Sequence, residues 1–141
     1  MMKITYQWVI MKIRLTNYGS RDIMTVIKYS EEGFWLEKTD NTVTIGLSDK
    51  GQDDLGEVSF VDVPSEGAVK IGDVLIGVEA AKAVTELTLP VSGTIIAVNE
   101  ALEDEPSLLN STKREATWIA KLTDVSSTEF EVLSNESGFE G

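Results

Sequence analysis

One stretch of this chain concentrates its chemical opportunity: Gly77-Val-Glu-Ala-Ala-Lys82-Ala-Val-Thr-Glu-Leu87, a lysine set among small side chains. An exposed lysine is protonated at neutral pH, so it is a poor nucleophile and has no redox chemistry of its own. What it offers is an attachment point, with the hard chemistry left to the group joined to it. Ala80, Ala81 and Ala83 leave the approach to Lys82 open, and Glu79 and Glu86 supply charges that an attaching enzyme could read. The alternative for both glutamates is a solvated strand position beside a turn. Rival chemistry is scarce. The chain has no cysteine and no histidine, which removes disulfides, thiolate or imidazole catalysis and the usual zinc ligand sets. Asp53-Asp54 with Glu57, and Glu103-Asp104-Glu105, lack the glycine-punctuated alternation of a calcium loop and read as solvated faces or helix N-terminal charges.

The elements that must position Lys82 follow from periodicity. Val74, Ile76 and Val78 alternate with their neighbours before the lysine, and Val84, Leu87 and Leu89 supply apolar positions after it. Two short strands joined at Ala81-Lys82-Ala83 fit this pattern, with Lys82 at the tip. Gly72, Gly93 and Pro90 bracket the hairpin and give it arms of similar length. Further strand-like runs lie at Phe34–Lys38, Thr42–Leu47, Val58–Val63, Thr94–Asn99 and Trp118–Leu122, and the hairpin arms extend over Val74–Glu79 and Val84–Leu89. Seven short strands predict a sandwich or flattened barrel. Helical signals are few: Ser48 caps a short helix ending near Gly56, Pro106–Leu109 makes one turn, and Ser126-Ser-Thr-Glu129 forms a capping box before Phe130 and Leu133. That last helix is expected on the sandwich edge, and the polar tail from Ser134 to Gly141 is expected to be mobile.

Composition bounds the partners. A chain of 141 residues with 42% hydrophobic content suits one globular domain. Residues 1–23 carry four basic side chains and one acidic one, so the remaining eight basic and 23 acidic residues give 24–141 a charge of −15 within the total of −12. Such a surface repels nucleic-acid phosphates and anionic lipid headgroups and can steer the protein toward basic patches on partner enzymes; equally, it can simply keep a soluble protein from aggregating. Trp8-Val-Ile-Met11 and Ile13 are interrupted by Lys12 and Arg14 before any hydrophobic run reaches secretory or membrane-spanning length. The division expected is 1–23 as an N-terminal extension or a misassigned start and 24–141 as the folded domain. The low acidity with Arg14 and Arg21 has the character of a mitochondrial presequence, against which the segment is not serine-rich and has few arginines; an added edge strand, from the alternation of Ile4, Tyr6, Trp8 and Ile10, is the remaining reading.

The flanks of the lysine resemble a known family. Glu79-Ala-Ala-Lys82-Ala-Val84 followed by Pro90-Val-Ser-Gly93 is similar to the modified-lysine segment of the lipoyl-domain superfamily, and specifically of the glycine cleavage system H protein family. Thr42-Val-Thr-Ile-Gly-Leu-Ser-Asp49, Leu55-Gly-Glu-Val-Ser-Phe-Val-Asp-Val-Pro64, Gly67, Gly72-Asp73 and Val98-Asn-Glu-Ala-Leu-Glu-Asp-Glu-Pro-Ser-Leu-Leu-Asn110 follow in that family's order, over about Val26 to Leu133. The start Met24-Thr-Val-Ile-Lys-Tyr29 resembles that of a bacterial member. The resemblance implies a mainly β, lipoyl/biotinyl-type hammerhead with a few short helices, one of them near the C-terminus. The segment starting at Gly67 and the segment starting at Ser92 then correspond to the two intertwined halves of that fold. It also implies lipoate joined covalently to Lys82, with Glu79, Ala81 and Ala83 recognised at the hairpin tip.

The function so implied is that of a non-catalytic carrier in glycine catabolism. Its partners would be a lipoate-attaching enzyme, glycine decarboxylase, a folate-dependent aminomethyltransferase and dihydrolipoyl dehydrogenase, with the aminomethyl group passed between them on the lipoyl arm. The loaded arm is implied to fold into a cleft near the first strands and first helix, with Glu31, Asp53 and Asp54 as the candidate lining. The location implied is the cytoplasm of a bacterium, or the mitochondrial matrix in a eukaryote. Two segments depart from the family pattern: Tyr29-Ser-Glu-Glu-Gly-Phe-Trp35 keeps the tryptophan of a usual His-Glu-Trp but has no histidine, and Asn110-Ser-Thr-Lys-Arg-Glu-Ala-Thr-Trp118 keeps its ends but not its middle. Leu108-Leu-Asn-Ser111 and Trp118-Ile-Ala-Lys-Leu-Thr-Asp-Val125 resemble an H-like subgroup of Gram-positive bacteria, whose lipoylated carriers serve a macrodomain protein and a sirtuin-type ADP-ribosyltransferase. A biotin carrier fits less well, since biotin-accepting lysines usually lie between methionines and Lys82 lies between alanines. An unmodified interaction module on the same fold is the reading from a different class.

Overall fold

A computed structural model describes residues 25–139. The extension, with its candidate edge strand at Ile4 to Ile10, lies outside the described residues. Nine strands are present among the described residues: β1 Thr25–Tyr29, β2 Phe34–Thr39, β3 Thr42–Leu47, β4 Val58–Asp62, β5 Gly67–Val69, β6 Val74–Ala80, β7 Val84–Thr88, β8 Gly93–Val98 and β9 Trp118–Thr123. The helices are α1 Asp49–Leu55, α2 Ala101–Asp104 and α3 Ser127–Glu131, with 3-10 turns at Pro106–Asn110 and Arg114–Ala116. All strand pairs are antiparallel, in a six-stranded sheet ordered β1-β2-β3-β9-β8-β5 and a three-stranded sheet ordered β4-β6-β7. The larger sheet ends at β1 and β5 and does not close on itself, so the architecture is a sandwich rather than a barrel. The two segments starting at Gly67 and Gly93 pair directly with each other, Gly67 opposite Ile95 and Val69 opposite Gly93.

Alternation accounts for the core. On β3, Val43, Ile45 and Leu47 are buried while Thr42 and Thr44 are only half-buried, and on β6 Leu75, Ile76 and Val78 close the opposite wall. Phe34 and Leu36 join them from β2, and Leu102, Leu109 and Phe130 seal the open ends from α2, the first 3-10 turn and α3. The last residue is how α3 docks. Its N-cap is Ser126, whose Oγ accepts the Glu129 N–H at 3.3 Å, but the reciprocal half of the capping box is diverted. Glu129 Oε1 instead accepts the Ser92 N–H at 2.7 Å, tying α3 to the entry of β8. Ser48 caps α1 through a 3.2 Å bond from the Gly51 N–H, and Gly56 ends it with φ 72°.

Several expectations need correcting. β1 and β5 were not among the seven expected strands: β1 exposes its first two residues, and β5 is a three-residue pairing edge between glycine turns, so neither carries a strong period. α2 is a single turn following β8. Ser134, the first residue of the tail, pairs with the edge of β1, exchanging both backbone hydrogen bonds with Tyr29 at 2.8 and 3.1 Å. No helix among the described residues is long and apolar enough to cross a membrane.

The outer face of the larger sheet holds one polar-aromatic lock. Trp35 pairs across to Gly46, and a methyl group on Gly46 would collide with the indole ring and with the Thr117 carbonyl. The ring can therefore lie flat on the backbone, and its Nε1–H donates to Thr117 Oγ1 at 2.9 Å while that hydroxyl donates to the Arg114 carbonyl at 2.9 Å. The Arg114 guanidinium stands 5.7 Å from the ring centroid and pairs with Glu37 at 3.2 Å. Thr117→Val, which keeps the shape and removes the acceptor for a buried indole N–H, is expected to cost about 1–3 kcal/mol in urea unfolding followed by tryptophan fluorescence. Gly46→Ala is expected to cost about 1–3 kcal/mol in the same measurement, by overpacking against the ring.

Candidate lysine attachment site

The β6–β7 hairpin closes with the Ala80 N–H bonded to the Ala83 carbonyl at 2.9 Å, which leaves Ala81 and Lys82 at its tip. This tip is not a free loop. The Lys82 N–H donates to the Leu55 carbonyl at 2.9 Å and the Ala81 N–H to the Glu57 carbonyl at 2.8 Å, so both tip residues are docked on the chain leaving α1. Between those two acceptors stands Gly56, in the left-handed region where side chains are strained. A Cβ there would come 3.3 Å from Lys82 Cγ and 3.5 Å from Ala81 Cβ, so the lysine stem lies close over Gly56, where the positive φ disfavours any side chain. The Nζ then reaches the end of α1 and donates to the Asp53 carbonyl at 2.9 Å. Carbonyls near a helix C-terminus carry partial negative charge, and α1 has no basic residue in its last turn to compete for them. Lys82 is exposed, as are Ala81 and Glu79, while Ala83 is half-buried.

The flanking glutamates fall on one face. Glu79 lies opposite Val84 and Gly77 opposite Glu86, so all four share the outer surface of the smaller sheet, where Phe60 and Asp62 of β4 join them. A groove of about 440 Å³ runs between Phe60, Val84 and these carboxylates. Phe60 and Val84 are 50% and 78% exposed, which makes the groove apolar in its floor and acidic at its rim. Sequence reasoning missed Phe60 and Asp62. A register shift between Val58 and Phe60 breaks the alternation of β4, leaving Ser59 and Phe60 both exposed in a run that reads as simply apolar.

Two further cavities border α1. A small one of about 160 Å³ lies beside Trp35, Ser48, Gln52 and Arg114. A cleft of about 670 Å³ runs between the β1–β2 loop, the first turn of α1 and the tail, with Glu31, Glu32 and Glu136 facing Leu89, Pro90 and Val132. Of the three residues expected at a cleft, Glu31 lines this one. Asp53 and Asp54 do not: Asp54 pairs with Lys50 at 2.7 Å within α1, and Asp53 contributes its carbonyl to Lys82. Among the described residues no three acidic side chains converge as metal ligands. The missing histidine has a local reason as well. Gly33, two residues before Trp35, has φ 106° and a Cβ there would come 2.6 Å from Gly51 Cα, so the loop and α1 pack backbone to backbone.

The family model described as glycine cleavage H-protein matches residues 27–140. A glycine cleavage system H protein of Listeria welshimeri is 40% identical over 113 residues, covering 79% of this chain and 90% of that protein. One from Escherichia coli is 40% identical over 121 residues, covering 84% of this chain and 94% of that protein. The crystal structure of a glycine cleavage system H protein from Mycobacterium marinum superposes with a TM-score of 0.63 at 26% identity, over 74% of this chain and 92% of the other. The chain belongs to the glycine cleavage H-protein family.

Proposed function

We propose that Lys82 carries lipoate in amide linkage and that the chain is a non-catalytic carrier of the glycine cleavage system, passing an aminomethyl group between partner enzymes. The observation that carries this reading is the exposed lysine on a docked hairpin tip, its stem over Gly56 and its neighbours cut back to alanine. These features fit an acylated lysine: the stem lies over Gly56, and among the described residues the only polar contact of Nζ is a backbone carbonyl that an amide N–H can still address. When bound, lipoate supplies a dithiolane that accepts the aminomethyl group and is reduced in doing so. The chain itself supplies position. Glycine decarboxylase, aminomethyltransferase, dihydrolipoyl dehydrogenase and a lipoate-attaching enzyme are the partners this reading names.

The large cleft suits the far end of the arm. α1 has seven residues, about 10 Å at 1.5 Å per residue, and it runs from the lysine contact at Asp53 back to Lys50, which lines the cleft. Lys82 would hold the arm at one end of α1, and the cleft beside Lys50 at the other end of that helix would receive its far end. There the carboxylates of Glu31, Glu32 and Glu136 would favour a cationic amine, beside an apolar wall formed by Leu89 and Pro90.

A second reading keeps Lys82 and changes the pathway: an H-like lipoyl carrier acted on by macrodomain and sirtuin-type proteins. It is favoured by the segments Leu108-Leu-Asn-Ser111 and Trp118-Ile-Ala-Lys-Leu-Thr-Asp-Val125, which resemble the H-like subgroup. Intact mass of the protein from its native host, with peptide fragmentation, tests both. A single lipoyl adduct on Lys82, lost in Lys82→Arg with the fold retained, is expected. An added ADP-ribosyl mass selects the second reading, and an unmodified Lys82 in cells whose other lipoyl proteins are loaded leaves only an interaction module. Glu79→Gln is expected to lower kcat/KM for lipoate attachment severalfold and to flatten its salt dependence, as removal of a rim charge does.

A further inference from the structure

Asn110 ends the first 3-10 turn, remote from Lys82 in sequence and half-buried. Its Oδ1 accepts the Val58 N–H at 2.8 Å and its Nδ2 donates to the Gly56 carbonyl at 2.9 Å. One partner is a donor and the other an acceptor, so a single orientation of the carboxamide satisfies both. These bonds fall on either side of Glu57, whose carbonyl receives Ala81, and one residue beyond Leu55, whose carbonyl receives Lys82. Among the described residues no other side chain hydrogen-bonds the backbone from Leu55 to Val58. Asn110 is itself held: Gln52 Nε2, on α1, donates to the carbonyls of Leu109 and Ser111, its two neighbours, at 2.8 and 2.7 Å.

We infer that Asn110 is a positioning residue for the acylation of Lys82, its carboxamide fixing the Gly56–Val58 ribbon on which the hairpin tip rests. The inference rests on the reading of Lys82 as the lipoyl site. Gly56 is the most permissive residue in that ribbon, and without the clamp its freedom passes to the two tip hydrogen bonds. A ligase that engages only the docked tip then meets a smaller competent fraction of carrier, which raises the apparent KM for the carrier and spares kcat. Asn99 provides the control, since its Nδ2 also makes a side chain to backbone bond, to the Trp118 carbonyl at 3.0 Å, away from the tip.

The test uses the full chain, lipoate, ATP and a bacterial lipoate–protein ligase. For Asn110→Ala the KM for the carrier is expected to rise about tenfold with kcat within about twofold, while Asn99→Ala stays near wild type. Asn110→Asp keeps the volume and sets an oxygen against the Gly56 carbonyl; it is expected to follow Asn110→Ala, and it carries the test if the alanine variant does not fold. Backbone amide exchange at Ala81 and Lys82 is expected to accelerate about tenfold in both Asn110 variants and in neither wild type nor Asn99→Ala. A wild-type KM in folded Asn110 variants, or an equal rise in Asn99→Ala, overturns the positioning role. A wild-type chain that takes no lipoate overturns the Lys82 reading instead, and the inference falls with it.

Discussion

The lysine's position depends on two backbone hydrogen bonds, Lys82 to Leu55 and Ala81 to Glu57, made across a glycine that no other residue can replace without strain. A two-stranded hairpin is marginal alone in water, and a tip bearing a long side chain would sample many directions. Docking on the exit of α1 removes that freedom from the backbone and leaves it to the side chain. The arrangement needs α1 to end at Gly56, which needs the Ser48 cap at its start and the packing of Gly51 against Gly33. A short helix of this kind has little intrinsic stability, so the sandwich beneath it, through buried Leu47 and Leu55, holds the lysine indirectly.

The two sheets divide the labour. The larger sheet buries an aliphatic wall and locks its outer face with Trp35, Gly46 and Thr117, elements far apart in sequence joined by one indole hydrogen bond. The smaller sheet is a platform that exposes Phe60, Val84 and three carboxylates beside the lysine. Irregularities fall where the pattern must change sides: register shifts at Val58/Phe60, Val74/Ile76, Ile45/Gly46 and Ile95/Ala97 each turn a side chain away from strict alternation.

These irregularities mark the boundary of what the sequence discloses. Lys82 at a hairpin tip was legible because apolar alternation, glycines and alanines all point to one geometry over a short stretch. The strands from Phe34 onward and the Ser48 and Ser126 caps were legible for the same reason, being set by neighbours a few residues apart. The Phe60–Asp62 face was not, since a bulge is invisible to a period of two. Asn110 and Gln52 were not, because their partners are set by the tertiary fold and an amide gives no sign of what it will bond. The pairing of Ser134 with Tyr29 was not legible either, because it is made by the backbone and leaves no mark on the side chain.

The acidity of the chain acquires a direction from the structure. Spread over a sphere, the charge of 24–141 would only repel like surfaces, but Asp62, Glu79 and Glu86 stand on the lysine's own sheet around a small apolar floor. A carrier that visits partners in turn needs fast arrival and ready departure. Rim carboxylates speed arrival at a basic surface and are weakened by salt, whereas slow release comes from large buried anchors. Phe60 and Val84 supply only two exposed apolar side chains, too few to hold a partner for long. The same face, with the exposed lysine at its edge, therefore favours encounter over capture.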